Sequence, residues 1–135
     1  TNAGDTNMAA SKTTINPIQS IQFATAETAI LQWAACYQST AADMTAVLPA
    51  GAASALKFLG FARYAQVSGA TSIELITAGV AAGNAAAAIT AGDDLESGGA
   101  TGTVQTRTTG TIIGRALDSA GAAGDILRIE ILKPI

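Results

Sequence analysis

Three acidic side chains within four positions, Asp93, Asp94 and Glu96 in "AGDDLES", are the densest group of chemically capable residues in the chain. Carboxylates this close can act as an acid–base pair or hold a hard cation, which takes several oxygen ligands. On a strand, however, successive side chains point to opposite faces, so only Asp94 and Glu96 would share one. The twelve-residue calcium-loop spacing is absent, and a solvated turn without metal is the expectation. The Gly-rich run "SGGATGT", residues 97–103, leads into Val104 and Gln105 in strand-like sequence. A phosphate-cradling loop would end in Gly-Lys-Ser/Thr and open a helix, so this run also reads as a turn. The chain has no histidine. That removes the commonest general base and metal ligand, and with them any Cys-His or Ser-His pair within the chain. Cys36 is the only cysteine, so it forms no internal disulfide and reads as a small core or interface residue. The expectation is a protein with no catalytic residue, no metal and no cofactor.

If there is nothing to react, the composition must say what the chain is for. Its 135 residues are enough for one domain. Hydrophobic residues make up 49% but aromatics only 4%, so much of the apolar count is alanine, which has little area to bury. A thin core of this kind is commonly completed by association with copies or with a larger assembly. Charged residues are 13%, about half the ordinary share, which suits a surface that partners cover. The net charge is −3 and the seven Lys and Arg never cluster between Lys12 and Lys133. Nucleic acid and anionic membrane surfaces, which need a basic face, are therefore not expected partners. No apolar run reaches the ~18 residues of a membrane-spanning helix. The first residues also lack the apolar block of a signal peptide, so synthesis in a cytoplasm is expected.

Along the chain, residues 1–17 are small, polar and unpatterned, and Pro17 closes them: an extended N-terminal arm. Residues 18–135 read as a single, mainly β domain. A first strand is expected at residues 18–23, with Ile21 and Phe23 on one face. Residues 27–40 fit either helix or strand, and the β character of the downstream sequence favours strand. Short apolar stretches recur there between Gly, Ser, Thr, Asp and Pro, among them "TAVLP", "LKFLGFARY", "TSIELI", "AAAAIT" and "DILRIEIL". This is the pattern of a sandwich or barrel. In the last stretch Leu127, Ile129 and Ile131 alternate with Arg128 and Glu130, a strict period of two. "FLGFARYAQVSGATSIELI" from Phe58 aligns without a gap on "IIGRALDSAGAAGDILRIE" from Ile112, 54 residues on. The alignment predicts an internal duplication, with half-units near 27–78 and 86–132 folded as one pseudo-symmetric barrel. In both copies a strand ends in apolar-Gly-x-Ala, where Gly permits a bend or a close approach.

The motifs "AITAGDDL" at residues 88–95, "IIGRAL" at 112–117 and "AAGDILRIEIL" at 122–132 resemble the small capsid decoration, or cement, proteins of tailed bacteriophages. "FLGFA" at 58–62 extends the likeness loosely to the first half. The resemblance implies a compact β-barrel of the β-tulip kind with an N-terminal arm. It also implies a homo-oligomer, a trimer by preference, on the outer capsid surface of the virion, clamping neighbouring major capsid protein subunits. Other phage structural roles, such as a head-fibre base or tail module, and a bacterial surface-layer module are the alternatives. The arm residues Thr6, Asn7, Met8, Lys12, Ile15 and Pro17 are candidate capsid contacts, since an extended segment can add a strand to a neighbour. Trp33, Phe58, Phe61 and Tyr64 are candidate interface aromatics, with a role in the core as the equal alternative. Period two would place Phe58 on the face opposite Leu59, Phe61 and Arg63.

Overall fold

The computed structural model describes residues 15–25, 29–39, 43–48, 58–66, 72–98 and 102–132. Every regular element among them is a strand: β1 (Asn16–Thr25), β2 (Ala35–Gln38), β3 (Thr45–Val47), β4 (Phe58–Ala62), β5 (Ile73–Asn84), β6 (Asp94–Ser97), β7 (Val104–Thr106), β8 (Gly114–Ala116) and β9 (Ile126–Ile131). They form one mainly β sheet in the order β1-β3-β2-β4-β5-β9-β8-β6-β7, and β1 also pairs with β5. That extra pairing closes β1, β3, β2, β4 and the first half of β5 into a hydrogen-bonded ring. A second ring runs from the later half of β5 through β9, β8, β6 and β7. It closes by the parallel bridge Ala85–Val104. β5, 12 residues long, belongs to both.

The duplication read from the sequence is written in the backbone register. Phe61 pairs with Ile76 and Ala62 with Leu75; 54 residues on, Arg115 pairs with Glu130 and Ala116 with Ile129. Cys36 opposes Gly60 as Leu95 opposes Gly114. Tyr37 opposes Val47 as Glu96 opposes Gln105. The bridge Ile30–Gln66 recurs as Ile89–Ala120. Phe23–Ile73 recurs as Gly83–Leu127, so the later half of β5 plays for the second ring the part β1 plays for the first. The two units thus close two rings that share a strand, where a single barrel was expected. The stretch "AAAAIT" is not a strand; only Ala85 and Ile89 make isolated bridges.

The glycine of the repeated apolar-Gly-x-Ala motif does what its spacing requires. A Cβ on Gly60 would run into the Ile76 carbonyl oxygen and lie 2.9 Å from its carbon. On Gly114, one would lie 2.5 Å from Ile129 Cγ2 and 2.9 Å from the Glu130 oxygen, the equivalent spot. Only glycine lets the crossing backbones approach so closely. β9 keeps its period of two, with Leu127 and Ile129 fully buried and Glu130 exposed.

β1 begins at Asn16, ahead of the expected residue 18, and Pro17 lies within it, opposite Gly79. Ile18 has no register partner on β5, and between Gln19 and Ser20 Thr77 has none on β1, though its hydroxyl donates to the Gln19 side chain, so two offsetting bulges restore the register. Gly79, at φ +94°, takes the left-handed conformation that the first bulge imposes.

The core has two parts. One gathers Phe23, Ile30, Ala34, Cys36, Ala46, Ala62, Ile73 and Leu75 within the first ring. The larger one joins second-ring residues such as Ile89, Leu95, Val104, Leu127 and Ile129 to a seam built from the first ring: Trp33, Ala35, Tyr37, Phe58, Phe61 and Ile76. The alternation expected across β4 is broken there. Cys36 opposes Gly60 while Tyr37 opposes Phe58, so Leu59 is a bulge. The extra residue brings Phe58 and Phe61 to one face, edge to face with centroids 5.3 Å apart. The seam is also locked by the Ala35 N–H donating to the Gly102 carbonyl and by the Asn84 amide donating to the Gln32 carbonyl.

Candidate docking surface

The acidic group comes apart in space. Asp93 accepts bonds from the Thr90 N–H and the Thr106 hydroxyl and closes its own turn. Asp94 is exposed and faces Arg115 at 3.9 Å. Glu96 is buried at 2% exposure, a correction to the solvated turn expected for it. It stands at the position equivalent to Tyr37, beside the seam. Its carboxylate accepts from the Gly110 N–H at 2.6 Å, the Thr108 N–H and hydroxyl at 3.2 Å, and the Gln105 amide. Among the described residues no group of three His, Cys, Asp or Glu side chains is placed to hold a metal ion. Cys36 is fully buried and burial pushes its thiol up to about 12, so it is no nucleophile near neutral pH.

Burial alone would raise the Glu96 carboxyl. The bonds from Gln105, Gly110 and Thr108 outweigh that, and the group is held below its ordinary 4.5. A depressed carboxyl contributes stability that is present above its unfolded-state pKa and lost as pH falls through the folded one. Unfolding free energy should therefore decline on acidification below about pH 4.5, and Glu96→Gln should flatten that decline. At neutral pH the substitution should cost about 1–3 kcal/mol, because the Gly110 and Thr108 donors lose a charged acceptor. Urea titrations of both proteins across the acid range read this directly; parallel curves would show that Glu96 does not hold the Thr108 loop.

Of the candidate aromatics, Trp33, Phe58 and Phe61 lie in the core, one of the two readings left open for them; the Leu59 bulge and the seam account for it. Tyr64 is exposed, with the Arg63 guanidinium 5.8 Å over its ring. Of the arm candidates, Ile15 packs against the larger core and Pro17 lies in β1. Thr6, Asn7, Met8 and Lys12 lie outside the described residues.

What the sequence reading missed is the contrast between the two rings. Among the described residues the large exposed apolar side chains are Ile18, Ile21, Leu31, Met44, Tyr64 and Leu117, and all but the last belong to the first ring. Carried onto the second ring by the shared register, Ile21 becomes Ala81, Leu31 becomes Thr90, Met44 becomes Gly102 and Tyr64 becomes Asp118. Among the described residues two non-glycines adopt positive φ, Trp33 at 67° and Met44 at 47°, and their counterparts Gly92 and Gly102 do so as glycines. A branched or bulky residue there is strained by roughly 1–2 kcal/mol. For Trp33 the side chain repays this by filling the seam. Met44 is 55% exposed and fills nothing among the described residues. The difference was legible only once the two copies could be aligned through their pairing rather than their sequence.

No protein-family model matches this chain, and no curated protein matches it. Among solved structures it is similar to the head fiber gp8.5 N base of bacteriophage phi29. The TM-score is 0.64 and the identity 18%, over 87% of this chain and 98% of that one. At that identity the likeness establishes a common fold, spanning both rings.

Proposed function

We propose that this chain is a structural protein of a tailed-phage head, bound to the outer surface of the capsid and performing no reaction. The observation that carries the reading is the fold shared with a head fiber base over nearly the whole of both chains. The decoration-protein motifs at residues 88–132 point to the same kind of particle. The chemistry is consistent with it: acidic groups tied into turns and ion pairs, a buried inert thiol, and a surface poor in charge.

Two finer roles are compatible with this reading. In one the protein is a cement, a trimer clamping adjacent major capsid protein subunits with help from residues 1–14. In the other it is the base of a head fibre, a role supported as well as the first by the fold likeness. In both, several copies engaging at once gain avidity from modest single contacts.

Mixing purified protein with expanded, undecorated heads should give saturable binding at fixed lattice positions. A cement should raise the temperature at which those heads release DNA, whereas a fibre base should leave it unchanged. Deleting residues 1–14 should weaken binding by about tenfold or more while the melting transition of the free protein persists. Full binding by the truncated protein would remove the arm from the docking mechanism.

A further inference from the structure

The duplication provides an internal comparison for every surface of the molecule, and one surface fails it. In the second ring, the end defined by Val80, Ala81, Gly83 and Gly102 is covered by the first ring of the same chain. Asn16 and Pro17 pair with Val80 and Gly79, and Ile15 seats in the core beside them. The place where a Gly83 Cβ would sit is 3.3 Å from Phe61 Cε2, and a Gly102 Cβ would meet Ala34 at 2.7 Å. The equivalent end of the first ring has no such cover among the described residues. Phe23, the counterpart of Gly83, is buried there, but Ile21 is 36% exposed, Met44 55% and Ile18 82%. Along residues 18–23 only one edge of β1 is paired among the described residues: β5 takes that edge, and β3 joins only at Ala24 and Thr25.

We propose that this end of the first ring — Ile18, Ile21, Met44 and the open edge of β1 — is the face that meets the shell, where it accepts an extended, apolar-bearing strand of the capsid protein. The inference rests on the function proposed above and adds the contact face: the flank of the first ring that runs from Ile18, beside Gly79, toward Met44. The nature of the occupant comes from the internal precedent. The same edge one repeat later takes an extended segment carrying a branched aliphatic side chain, Ile15. Strand addition of this kind satisfies an unpaired edge through main-chain bonds and gains specificity from pockets for alternate side chains.

A second copy of this chain supplies neither partner that the precedent uses. Its own residues 15–17 are already engaged on its own second ring. A head-to-tail copy would offer the outward surface of its second ring, where Ala35, Phe61 and Ile76 of the seam are replaced by Asp94, Arg115 and Glu130. All three are exposed, with Arg115 3.9 Å from Asp94 and 3.7 Å from Glu130. A charged terminal face of this sort caps a repeat array against further stacking. The strained, exposed Met44 adds a second indication. Backbone strain held where no packing among the described residues rewards it points to a contact formed elsewhere.

The test uses full-length protein, expanded undecorated heads and light scattering of the free protein. Ile18→Asp and Met44→Gly are the probes, and Leu117→Asp, an exposed second-ring position, is the control. The expected result is binding weakened by about tenfold or more for both probes, wild-type binding for the control, and an unchanged solution mass for all. Wild-type binding by both probes would overturn the docking face while leaving the proposed function intact. A lower solution mass in the probes would assign the face to contacts between copies instead. Failure of the wild-type protein itself to bind heads would remove the function and this face with it.

Discussion

Gly60→Ala is expected to destabilise the protein by ~3 kcal/mol or more, at the upper end of overpacking costs. The new Cβ would collide with the Ile76 oxygen and sit 2.9 Å from the Ile76 carbonyl carbon, both backbone atoms of β5. A flexible side chain could swing away; a strand held by β1 along its other edge cannot. Relief requires β4 to part from β5, and that pairing closes the first ring. Gly92→Ala is the matched control. Nothing lies within 4 Å of its Cβ position. Only the left-handed backbone at φ +97° opposes that substitution, at ~1–2 kcal/mol. Urea midpoints at constant slope measure both. Equal losses at the two positions would show that close approach is not what the repeated glycine serves.

The second large effect is a pair of opposite sign. Trp33 and Met44 share the left-handed conformation, and in the second ring glycine stands at both equivalent places. Trp33→Gly should cost about 1–4 kcal/mol, the balance of two opposing effects. Emptying a buried tryptophan site costs ~3–5 kcal/mol, and release of backbone strain returns ~1–2 of it. Met44→Gly removes an exposed side chain and the same strain, so it should be neutral or stabilise by ~1 kcal/mol. The contrast separates conformation from packing within one protein. If both substitutions destabilised alike, the seam would not be what holds Trp33 in place.

The duplication was legible because it lives in residue identity at fixed spacing. Gly60 matches Gly114 and Ala62 matches Ala116, and the backbone pairs keep the same spacing. β9 was legible because its two faces differ, with Leu127 and Ile129 inward and Arg128 and Glu130 alternating with them. The later half of β5, "GVAAGN", was not. Alanine and glycine give no alternation, and Ala81 and Ala82, successive residues of the strand, are both fully buried. The joint burial of Phe58 and Phe61 was hidden because one bulged residue, Leu59, inverts every later face assignment on the strand. Trp33 was hidden because a left-handed tryptophan contradicts local preference and is upheld by tertiary packing in the seam between the rings. The expectation of no reaction centre rested on residue types alone. The dispersal of Asp93, Asp94 and Glu96 into separate bonds is a tertiary fact that no spacing rule contains. The candidate docking surface was the least legible part. It is defined by what the second ring has covered and the first has not.

The account stands or falls on attachment to the head. Titrating expanded, undecorated heads with the purified protein, and counting bound copies by sedimentation and by imaging the particles, measures it most directly. The account predicts saturation at a fixed copy number, on fixed positions of the outer lattice. Binding that rises without limit, scatters over the lattice or is absent at saturating protein would contradict it.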